Sequence, residues 1–315
     1  MSRTRSWMRS TLWTMGTLSL LAVPASKALA QKTHALVVAG LSGDATFRVK
    51  FEAAAKAAHG AARSRWGVTD SSIIVLTEDS TAWNGRSTRE NIGNAFLSLS
   101  RRVSAGDVLL VLLIGHGSGE GPASKVNLPG PDVSAAEYAA WLAPFRSQQV
   151  VFVNTATGSG DFVTALAAPG RVVVTATRSA MERNASEFLQ HFTAALISDD
   201  ADADKDGRLS VLEAFRFART EVAKSYERTN RMLTEHAVLS DSVVAARIAF
   251  GTRAGSSDPR IAALIAERQA LESDVAALRR RKDSMEAAAY ESELERLLLA
   301  IAEKTQAIKA AGGGK

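Results

Sequence analysis

Acidic side chains near the middle of the chain have the spacing of a calcium-binding loop. The segment DADKDGRLSVLE, residues 202–213, fits the pattern D-x-D-x-D-G-x-x-S-x-x-E at every defined position. Carboxylate and carbonyl oxygens suit the hard calcium ion, and Gly207 permits the sharp turn between them. The sequence therefore predicts Ca²⁺ as a cofactor. Its expected ligands are Asp202, Asp204, Asp206, the backbone carbonyl of Arg208, Ser210 and Glu213.

The context of this EF-hand-type loop favours a structural ion over a switch. Helical patterns at 187–197 and 211–226 give a helix–loop–helix arrangement. The sequence contains one such loop, whereas the loops of calcium sensors usually work in pairs. Extracellular modules bind calcium with dissociation constants of about 0.1–1 mM, so weak binding suffices outside the cytoplasm. The alternative interpretation is an acidic helix-capping turn that binds no ion.

A second candidate site lies where two predicted strands end. His116 follows the apolar run of LLVLLIGHGSGEG (109–121) and stands between Gly115 and Gly117. A histidine held close to the backbone at a strand end has the position that a general acid or base needs. The next strand, in VVFVNTATGSG (150–160), also ends in a loop of small residues. A purely structural role is the alternative for this histidine, and the other histidines have no comparable setting.

The chain has no cysteine among its 315 residues, which excludes disulfides, thiolate metal sites and a cysteine nucleophile. Its 46% hydrophobic and 23% charged residues are typical of a globular protein. The glycines of 115–121 do not indicate phosphate binding, because a P-loop ends in Gly-Lys-Ser/Thr and opens a helix. The sequence also lacks the serine elbow G-x-S-x-G.

A series of strands and helices must position these candidate residues. Apolar, β-branched runs are continuous rather than alternating, as expected for strands covered on both faces. They cover 34–40, 71–79, 107–115, 148–155 and 171–177. Helical patterns occur near 45–64, 87–102, 134–144, 160–168, 184–198 and 210–228. This order predicts an α/β domain with a mostly parallel sheet flanked by helices and active groups at the carboxyl ends of the strands.

Three segments in this order resemble the caspase–hemoglobinase fold, and most closely the legumain (asparaginyl endopeptidase) family. VVAGLSGDATFRVKFEAAAKAAH (37–59) is similar to the family's first strand, with AG-x-x-G-x-x-x-aromatic-Arg before a helix. The GHG of 115–117 stands where the family keeps its catalytic histidine, and VFVNTATGSG (151–160) stands where the family has Glu-Ala-Cys-Glu-Ser-Gly. The resemblance covers residues 34 to about 200. It implies a caspase-like domain over 31–250 that includes the loop at 202–213.

The resemblance also implies roles for single positions. His116 corresponds to the catalytic histidine, and Arg48 to the arginine that helps to form the pocket for the Asn side chain of the substrate. The position of the nucleophile falls on Ala156, or on Thr155 if the loop is shifted by one residue. A catalytic cysteine is therefore missing from the sequence.

Two further positions depart from the family's pattern. The asparagine that orients the histidine falls on Ser42, and the acid that lines the pocket falls on Asn154. Because alanine cannot attack a carbonyl, these departures favour a pseudo-peptidase that is stabilised by calcium and acts as a binding or assembly module for a protein or peptide partner. An active hydrolase or peptidase is the alternative, with Ser42 orienting the imidazole of His116. Its hydroxyl nucleophile would be Thr155, Thr157 or Ser159.

Residues 1–30 have the features of a secretory signal peptide. Arg3, Arg5 and Arg9 precede the short apolar stretch 11–23, and Ala28-Leu29-Ala30 resembles a cleavage site. The sequence therefore predicts export to the bacterial periplasm or medium, with an uncleaved anchor as the alternative. No later segment has the composition of a membrane span.

The net charge changes once this signal is removed. The full chain has 38 basic and 33 acidic residues, but the part after residue 30 has 34 basic residues against the same 33 acids. A nearly neutral mature chain does not indicate a surface for nucleic acid.

The last segment, 256–311, is predicted to be helical, either as a pair of helices folded onto the domain or as a coiled coil. Apolar residues recur with 3,4 spacing from Ile261 to Met285, interrupted by Arg268 and Lys282. A second stripe, Leu294, Leu297, Ile301 and Ile308, is out of register with the first. A break near 287–291 predicts a helical hairpin or one helix with a stutter. A coiled coil between copies through 258–310 is the alternative, in which the protein is mainly structural or oligomerising.

Overall fold

Residues 31–79, 82–250 and 259–312 are described by a computed structural model. The predicted signal peptide at 1–30, with its cleavage site, lies outside these described residues. The strands are β1 (Thr33–Ala39), β2 (Ile73–Thr77), β3 (Gly85–Arg86), β4 (Val108–Ile114), β5 (Gly117–Ser118), β6 (Lys125–Val126), β7 (Val133–Ser134), β8 (Gln149–Asn154), β9 (Arg171–Thr175), β10 (Leu209–Ser210), β11 (Val238–Leu239) and β12 (Ala249–Phe250).

Most helices follow the predicted patterns closely, but the pattern at 160–168 forms a helix of only four residues, and the helix at 242–247 is not predicted from the sequence. The helices are α1 (Ala45–Ser64), α2 (Arg89–Arg102), α3 (Ala135–Leu142), α4 (Phe162–Ala165), α5 (Phe188–Ile197), α6 (Val211–Arg228), α7 (Ser242–Arg247), α8 (Pro259–Arg280) and α9 (Ala287–Gly312). Helix α1 begins after Asp44, whose carboxylate accepts the backbone N–H of Phe47 at 2.9 Å and so caps the first turn. Within the described residues, no helix is both long and apolar enough to cross a membrane.

The central sheet has the order β11-β9-β8-β4-β1-β2-β3, and all its neighbouring strands run parallel except β11, which is antiparallel to β9. Val38 of β1 lies beside Leu113 of β4, which in turn lies beside Asn154 of β8. The carboxyl ends of these three strands therefore meet at one edge of the sheet. The predicted α/β architecture with a mostly parallel sheet flanked by helices is confirmed.

Both faces of the sheet are covered, which explains the continuous apolar runs. Alternate residues of β4 enter different clusters: Leu110 and Leu112 pack on the side of α1, α5 and α6, and Leu109 and Leu113 on the side of α2 and α3. All seven residues of β4 are fully buried. Each such side chain contributes about 1.5–3 kcal/mol relative to an exposed one, so this strand is held in place from both sides.

Helices α8 and α9 pack against each other as an antiparallel hairpin. Ile261 and Ile265 near the start of α8 cluster with Ile308 near the end of α9, while Val275 and Leu278 cluster with Leu297. The structure thus has the helical hairpin and not one continuous helix. The turn comes earlier than the predicted break at 287–291, because α8 ends at residue 280 and a 3₁₀ turn follows at Lys282–Ser284.

Candidate functional site

The acidic loop brings its three aspartates together. One carboxylate oxygen each from Asp202, Asp204 and Asp206 lies within 4.8 Å of the others. Ligands on opposite sides of a calcium ion are about 5 Å apart, because each Ca–O distance is about 2.3–2.6 Å. Gly207 has φ +80, a left-handed backbone conformation that side-chain-bearing residues rarely adopt. The turn that the sequence pattern requires at this position is therefore present.

Backbone amides hold these carboxylates in the turn. The N–H of Gly207 donates to Asp202 Oδ2 at 2.9 Å, and the N–H of Arg208 donates to Asp206 Oδ1 at 2.9 Å. The N–H of Asp206 approaches Asp204 Oδ1 at 3.2 Å. These bonds fix the positions of the three carboxylates in the turn.

Glu213 closes the loop from the first turn of α6. Its Oε2 accepts the hydroxyl and the N–H of Ser210 at 2.7 and 2.9 Å, which forms a capping box with the N-terminal end of the helix. Its Oε1 accepts the N–H groups of Ala203 and Asp204 at 2.9 and 3.2 Å. One carboxylate therefore joins the start of the helix to the start of the loop.

Arg208 and the residues after it lead into a short antiparallel pair of strands. Leu209 and Ser210 of β10 pair with Phe250 and Ala249 of β12. The guanidinium of Arg208 donates to the carbonyl of Ala249 at 3.4 Å. The loop is thus supported by a strand from the end of the same domain.

Burial and mutual repulsion disfavour the negative charges on the carboxylates of the acidic loop, and a bound cation would compensate them. Burial raises the pKa of Asp202 to about 7, and the neighbouring carboxylates add to this effect. Burial also raises the pKa of Asp206 and of Glu213. All side-chain donors are oxygens and four of them are carboxylates, which is the chemistry that a hard cation such as Ca²⁺ prefers. The predicted residues therefore fit this ion.

One cation in the chain already contacts the loop. Arg268 of α8 is only 6% exposed, and its guanidinium donates to Asp204 Oδ2 and, at 2.8 Å, to Asp206 Oδ2. Its Nε lies 3.5 Å from Glu272, one turn further along α8. The sequence marks Arg268 only as a charged residue that interrupts an apolar seam. Its partner could not be inferred from spacing, because the contact spans more than sixty residues.

The second candidate site is centred on His116, just after β4. Its Nε2 lies 3.2 Å from the backbone carbonyl oxygen of Ser42. A carbonyl can only accept, so this contact assigns the proton to Nε2 and leaves Nδ1 of a neutral ring as the base. The ring also meets Phe47 edge to face, with centroids 4.5 Å apart, and lies 5.3 Å from the ring of Phe51. Helix α1 thus packs directly on the imidazole.

The side chain of Ser42 is engaged elsewhere. Its hydroxyl donates to Glu78 Oε2 at 2.6 Å, and its N–H approaches the same oxygen at 3.1 Å. The family resemblance predicts that the side chain of this serine orients the imidazole in place of an asparagine. In the structure the backbone carbonyl contacts the ring, because the short buried hydroxyl is held by the carboxylate at the end of β2.

Arg48 lies beside this carboxylate but forms little of a pocket. Its guanidinium is 3.8 Å from Glu78 Oε1, and its side chain is 57% exposed. The adjoining cavity, bordered by Phe51 and Thr77, has a volume of about 20 Å³. A cavity of this size holds about one water molecule and is too small for the side chain of an asparagine.

The residues of the loop after β8 are buried within the fold. Ala156 is fully buried, and its N–H donates to Asn154 Oδ1 at 3.0 Å. The hydroxyl of Thr155 donates to the carbonyl of Leu113 at 2.7 Å. Ser159 is 1% exposed, and its hydroxyl lies 3.2 Å from that of Thr177. Two of the three candidate hydroxyls are therefore buried in hydrogen bonds within the fold.

Thr157 is the candidate hydroxyl that lies next to the histidine loop. The N–H of Gly117, directly after His116, donates to Thr157 Oγ1 at 3.4 Å. A Cβ placed on Gly117 would lie far inside van der Waals contact with the carbonyl oxygen of Thr157 and 3.5 Å from the methyl of Ala156. The structure thus brings the loops at 116 and 156 together, as the order of the strands predicts.

Asn154 is completely buried, and its Nδ2 has no hydrogen-bond partner among the described residues. It stands beside Leu113 on one side and Thr175 on the other in the centre of the sheet. Its amide therefore lies beneath the loop and does not line an open pocket.

A larger groove lies away from both candidate sites. It has a volume of about 820 Å³ and lies between α2 and α3, where Trp141 forms one wall and the ion pair of Arg89 and Glu137 another. This groove could not be predicted from the sequence, because its lining comes from helices and a proline-rich turn that carry no chemical motif.

No protein-family model matches the chain, and no curated protein matches its sequence. Among solved structures, the chain is similar to protein GSU0716 from Geobacter sulfurreducens, with a TM-score of 0.43 and 13% sequence identity over 73% of this chain and 96% of that one. It is also similar to caspase-1 from Spodoptera frugiperda, with a TM-score of 0.42 and 12% identity over 67% of this chain and 89% of that one. These similarities concern the course of the backbone and assign no role to a side chain.

Proposed function

We propose that the protein is an exported pseudo-peptidase of caspase- and legumain-like type, which binds a protein or peptide partner without cleaving it. The observation that carries the proposal is Ala156. Its methyl group occupies the nucleophile position that the family resemblance implies, is fully buried, and lies against the loop of His116. A methyl group cannot form a covalent intermediate with a carbonyl.

The surroundings of the histidine also support binding without cleavage. The hydroxyls of Thr155 and Ser159 are occupied by hydrogen bonds within the core. The cavity beside Arg48 has room for about one water molecule only. A substrate side chain would have to move the end of β2 before it could enter.

The test is an assay of peptide turnover with fluorogenic peptides that carry Asn or Asp before the scissile bond. We expect turnover by the native chain, His116→Ala and the control His59→Ala to be the same and equal to buffer. Turnover by the native chain that His116→Ala abolishes and His59→Ala retains would overturn the proposal. The control changes a histidine of α1 that lies against Trp83.

A calcium ion at 202–213 is part of the same proposal. The convergent oxygens of Asp202, Asp204 and Asp206 and the closing carboxylate of Glu213 support it. A ligand that binds only the folded state at 100 times its dissociation constant adds about 2.7 kcal/mol to the free energy of unfolding. We therefore expect calcium to raise the melting temperature of the native chain by several degrees.

The matched variants for this measurement are Asp202→Asn and Glu90→Gln. The first removes a predicted ligand, and the second changes an exposed carboxylate at the start of α2. We expect Asp202→Asn to abolish the calcium effect and Glu90→Gln to preserve it. A melting temperature that does not respond to calcium in the native chain contradicts the ion site and leaves the pseudo-peptidase proposal intact.

A hydrolase that uses Thr157 is the second candidate function. The contact between the Gly117 N–H and Thr157 Oγ1 favours this residue over Thr155 and Ser159, because it places the hydroxyl next to the residue that follows His116. A hydroxyl-directed fluorophosphonate probe tests the idea. An adduct at Thr157 that is lost in His116→Ala would support it, and an unlabelled chain would exclude it.

Self-association through the helical hairpin is a further part of the proposal. Leu298 and Leu299 of α9 are 48% and 59% exposed, which is compatible with contact between copies. The molar mass in solution of the native chain and of a Leu298→Glu, Leu299→Glu variant tests this idea. A monomer in both cases would exclude self-association through this face.

A further inference from the structure

Arg268 joins the helical hairpin to the acidic loop. The guanidinium leaves α8, reaches the loop between α5 and α6, and contacts the second and third aspartates of the calcium pattern. Arg268 is 6% exposed, and the side chains of Asp204 and Asp206 are 30% and 12% exposed, so the contact is partly shielded from water. Hydrogen bonds between a guanidinium and carboxylates are strong under these conditions, because each ion compensates the buried charge of the other.

The apolar core of the hairpin is its own. Ile261, Ile265 and Ile308 form one cluster, and Val275, Leu278 and Leu297 form another, all with residues of α8 and α9. Arg268 instead faces the domain. Loss of its contacts would therefore detach the hairpin at this point without opening either cluster.

We propose that Ca²⁺ and Arg268 compete for the carboxylates of the acidic loop, so that calcium weakens the docking of the helical hairpin. This competition rests on the calcium site proposed above, and it adds a conformational response, the release of the hairpin, to the binding of calcium. Arg268 occupies oxygens of Asp204 and Asp206, two of the predicted ligands. An ion in the loop reduces the negative charge that holds the guanidinium, and the two cations repel each other.

Thermodynamic linkage makes this effect reciprocal. If the docked arginine weakens calcium binding by some factor, calcium weakens docking by the same factor. The loop then exists in two states, one with Arg268 bound and the ion absent, and one with the ion bound and the hairpin released. Glu272, 3.5 Å from Nε, remains on α8 as a partner for the arginine after release.

Calcium titration of the full chain tests the competition. If the hairpin is undocked about 10% of the time without calcium, removal of the arginine makes calcium binding about tenfold tighter. We therefore expect Arg268→Gln to bind calcium about tenfold more tightly than the native chain. Arg279→Gln is the matched control, because it removes an exposed arginine from the same helix, and should bind like the native chain. Arg268→Lys keeps the charge but loses the paired geometry, and should lie in between.

The position of the hairpin is measured separately. Because the chain has no cysteine, spin labels can be placed on Thr220→Cys in α6 and Ala270→Cys in α8, both exposed. We expect calcium to shift or broaden the distance distribution between the labels. Arg268→Gln should produce the same change without calcium. Circular dichroism shows whether each variant retains its helices.

The outcomes separate the competition from the calcium site itself. Equal calcium affinity in the native chain and Arg268→Gln, with unchanged label distances, would overturn the competition and keep the site. Calcium binding that becomes weaker in Arg268→Gln would also overturn it, since the arginine would then assist the ion. Failure of both chains to bind calcium would overturn the ion site and the competition together, while the proposal of a pseudo-peptidase would stand.

Discussion

The imidazole of His116 is held by the backbone carbonyl of Ser42, 3.2 Å from Nε2, while the hydroxyl of the same serine points to another partner. The main chain at the end of β1 therefore orients the ring, and the side chain at this position fixes the main chain. Glu78 at the end of β2 accepts both the hydroxyl and the N–H of Ser42. Glu78 thus fixes the position of Ser42, and the carbonyl of Ser42 in turn orients the imidazole of His116.

Ser42→Ala should lower stability and leave the imidazole in place. Ser42 is 2% exposed, and its hydroxyl donates to the carboxylate of Glu78. Removal of this hydroxyl should therefore lower the free energy of unfolding by about 1–2 kcal/mol. The carbonyl remains, so the ring resonances of His116 in NMR spectra should change little. Denaturant unfolding measures the first effect. Ser64→Ala, at an exposed position of α1, is the control and should change neither.

Gly117→Ala should separate the two loops of the candidate site. The new methyl group would collide with the carbonyl oxygen of Thr157, and a backbone atom cannot turn away as a side chain can. We expect a loss of about 1–3 kcal/mol in the free energy of unfolding. The loop that carries His116 would also have to shift.

Gly60→Ala provides the contrast for this measurement. Gly60 is exposed in α1, and a Cβ there would have no heavy atom within 4 Å. Alanine in a helix is favoured over glycine, so this variant should gain about 0.5–1 kcal/mol. Equal effects of the two substitutions would show that the contact at Gly117 does not constrain the loops.

Ala156→Cys tests whether the nucleophile position opens to solvent. The alanine is fully buried, so a thiol in its place should react with iodoacetamide only when the loop opens locally. We expect its alkylation to be at least about tenfold slower than that of Glu120→Cys, whose side chain is 69% exposed. The native chain has no cysteine, so each variant reports one thiol. Similar alkylation rates would mean that the loop is open, which would favour a cleft that admits substrates.

The main strands and helices could be predicted because their residues carry a periodic signal. The continuous apolar run that contains β4 is buried on both faces, and the run predicted at 34–40 is β1 at Thr33–Ala39. The short strands β3, β5, β6, β7, β10, β11 and β12 have two residues each and show no period. These short strands form because each pairs with another strand in the folded chain, and the local sequence does not indicate that pairing.

The partners within the candidate sites could be predicted less well. The loop at 202–213 is local, so its spacing alone indicates which side chains converge. Glu78 holds Ser42 from a different strand, and Arg268 reaches Asp206 from a different part of the chain. Such contacts depend on how elements pack, and one sequence carries no direct signal for them. The sequence offers one sign that Arg268 has a buried partner: this charged residue interrupts the 3,4 repeat of apolar residues in the C-terminal helices.

His34, at the opposite edge of the sheet from His116, should make the fold sensitive to acid. It is 6% exposed, and neither ring nitrogen has a hydrogen-bond partner among the described residues. The carboxylate of Asp107 is 3.6 Å from Nε2, too far for a hydrogen bond. Burial lowers the pKa of His34 below its ordinary value of 6.5, with Arg102 and Lys32 acting in the same direction, and these effects outweigh the attraction of Asp107.

Because this pKa is lower in the folded state, the unfolded chain binds more protons near pH 6. The contribution of His34 to stability is therefore complete above 6.5, its value in the unfolded chain, and is lost as the pH falls through the lower value of the folded state. His34→Phe fills the same space without a titrating group and should reduce the loss of unfolding free energy between about pH 7 and pH 5. His59→Gln changes a partly exposed histidine of α1 and should leave that loss unchanged. Denaturant unfolding at several pH values measures all three chains, and parallel pH profiles for the native chain and His34→Phe would exclude His34 as the origin of the acid sensitivity.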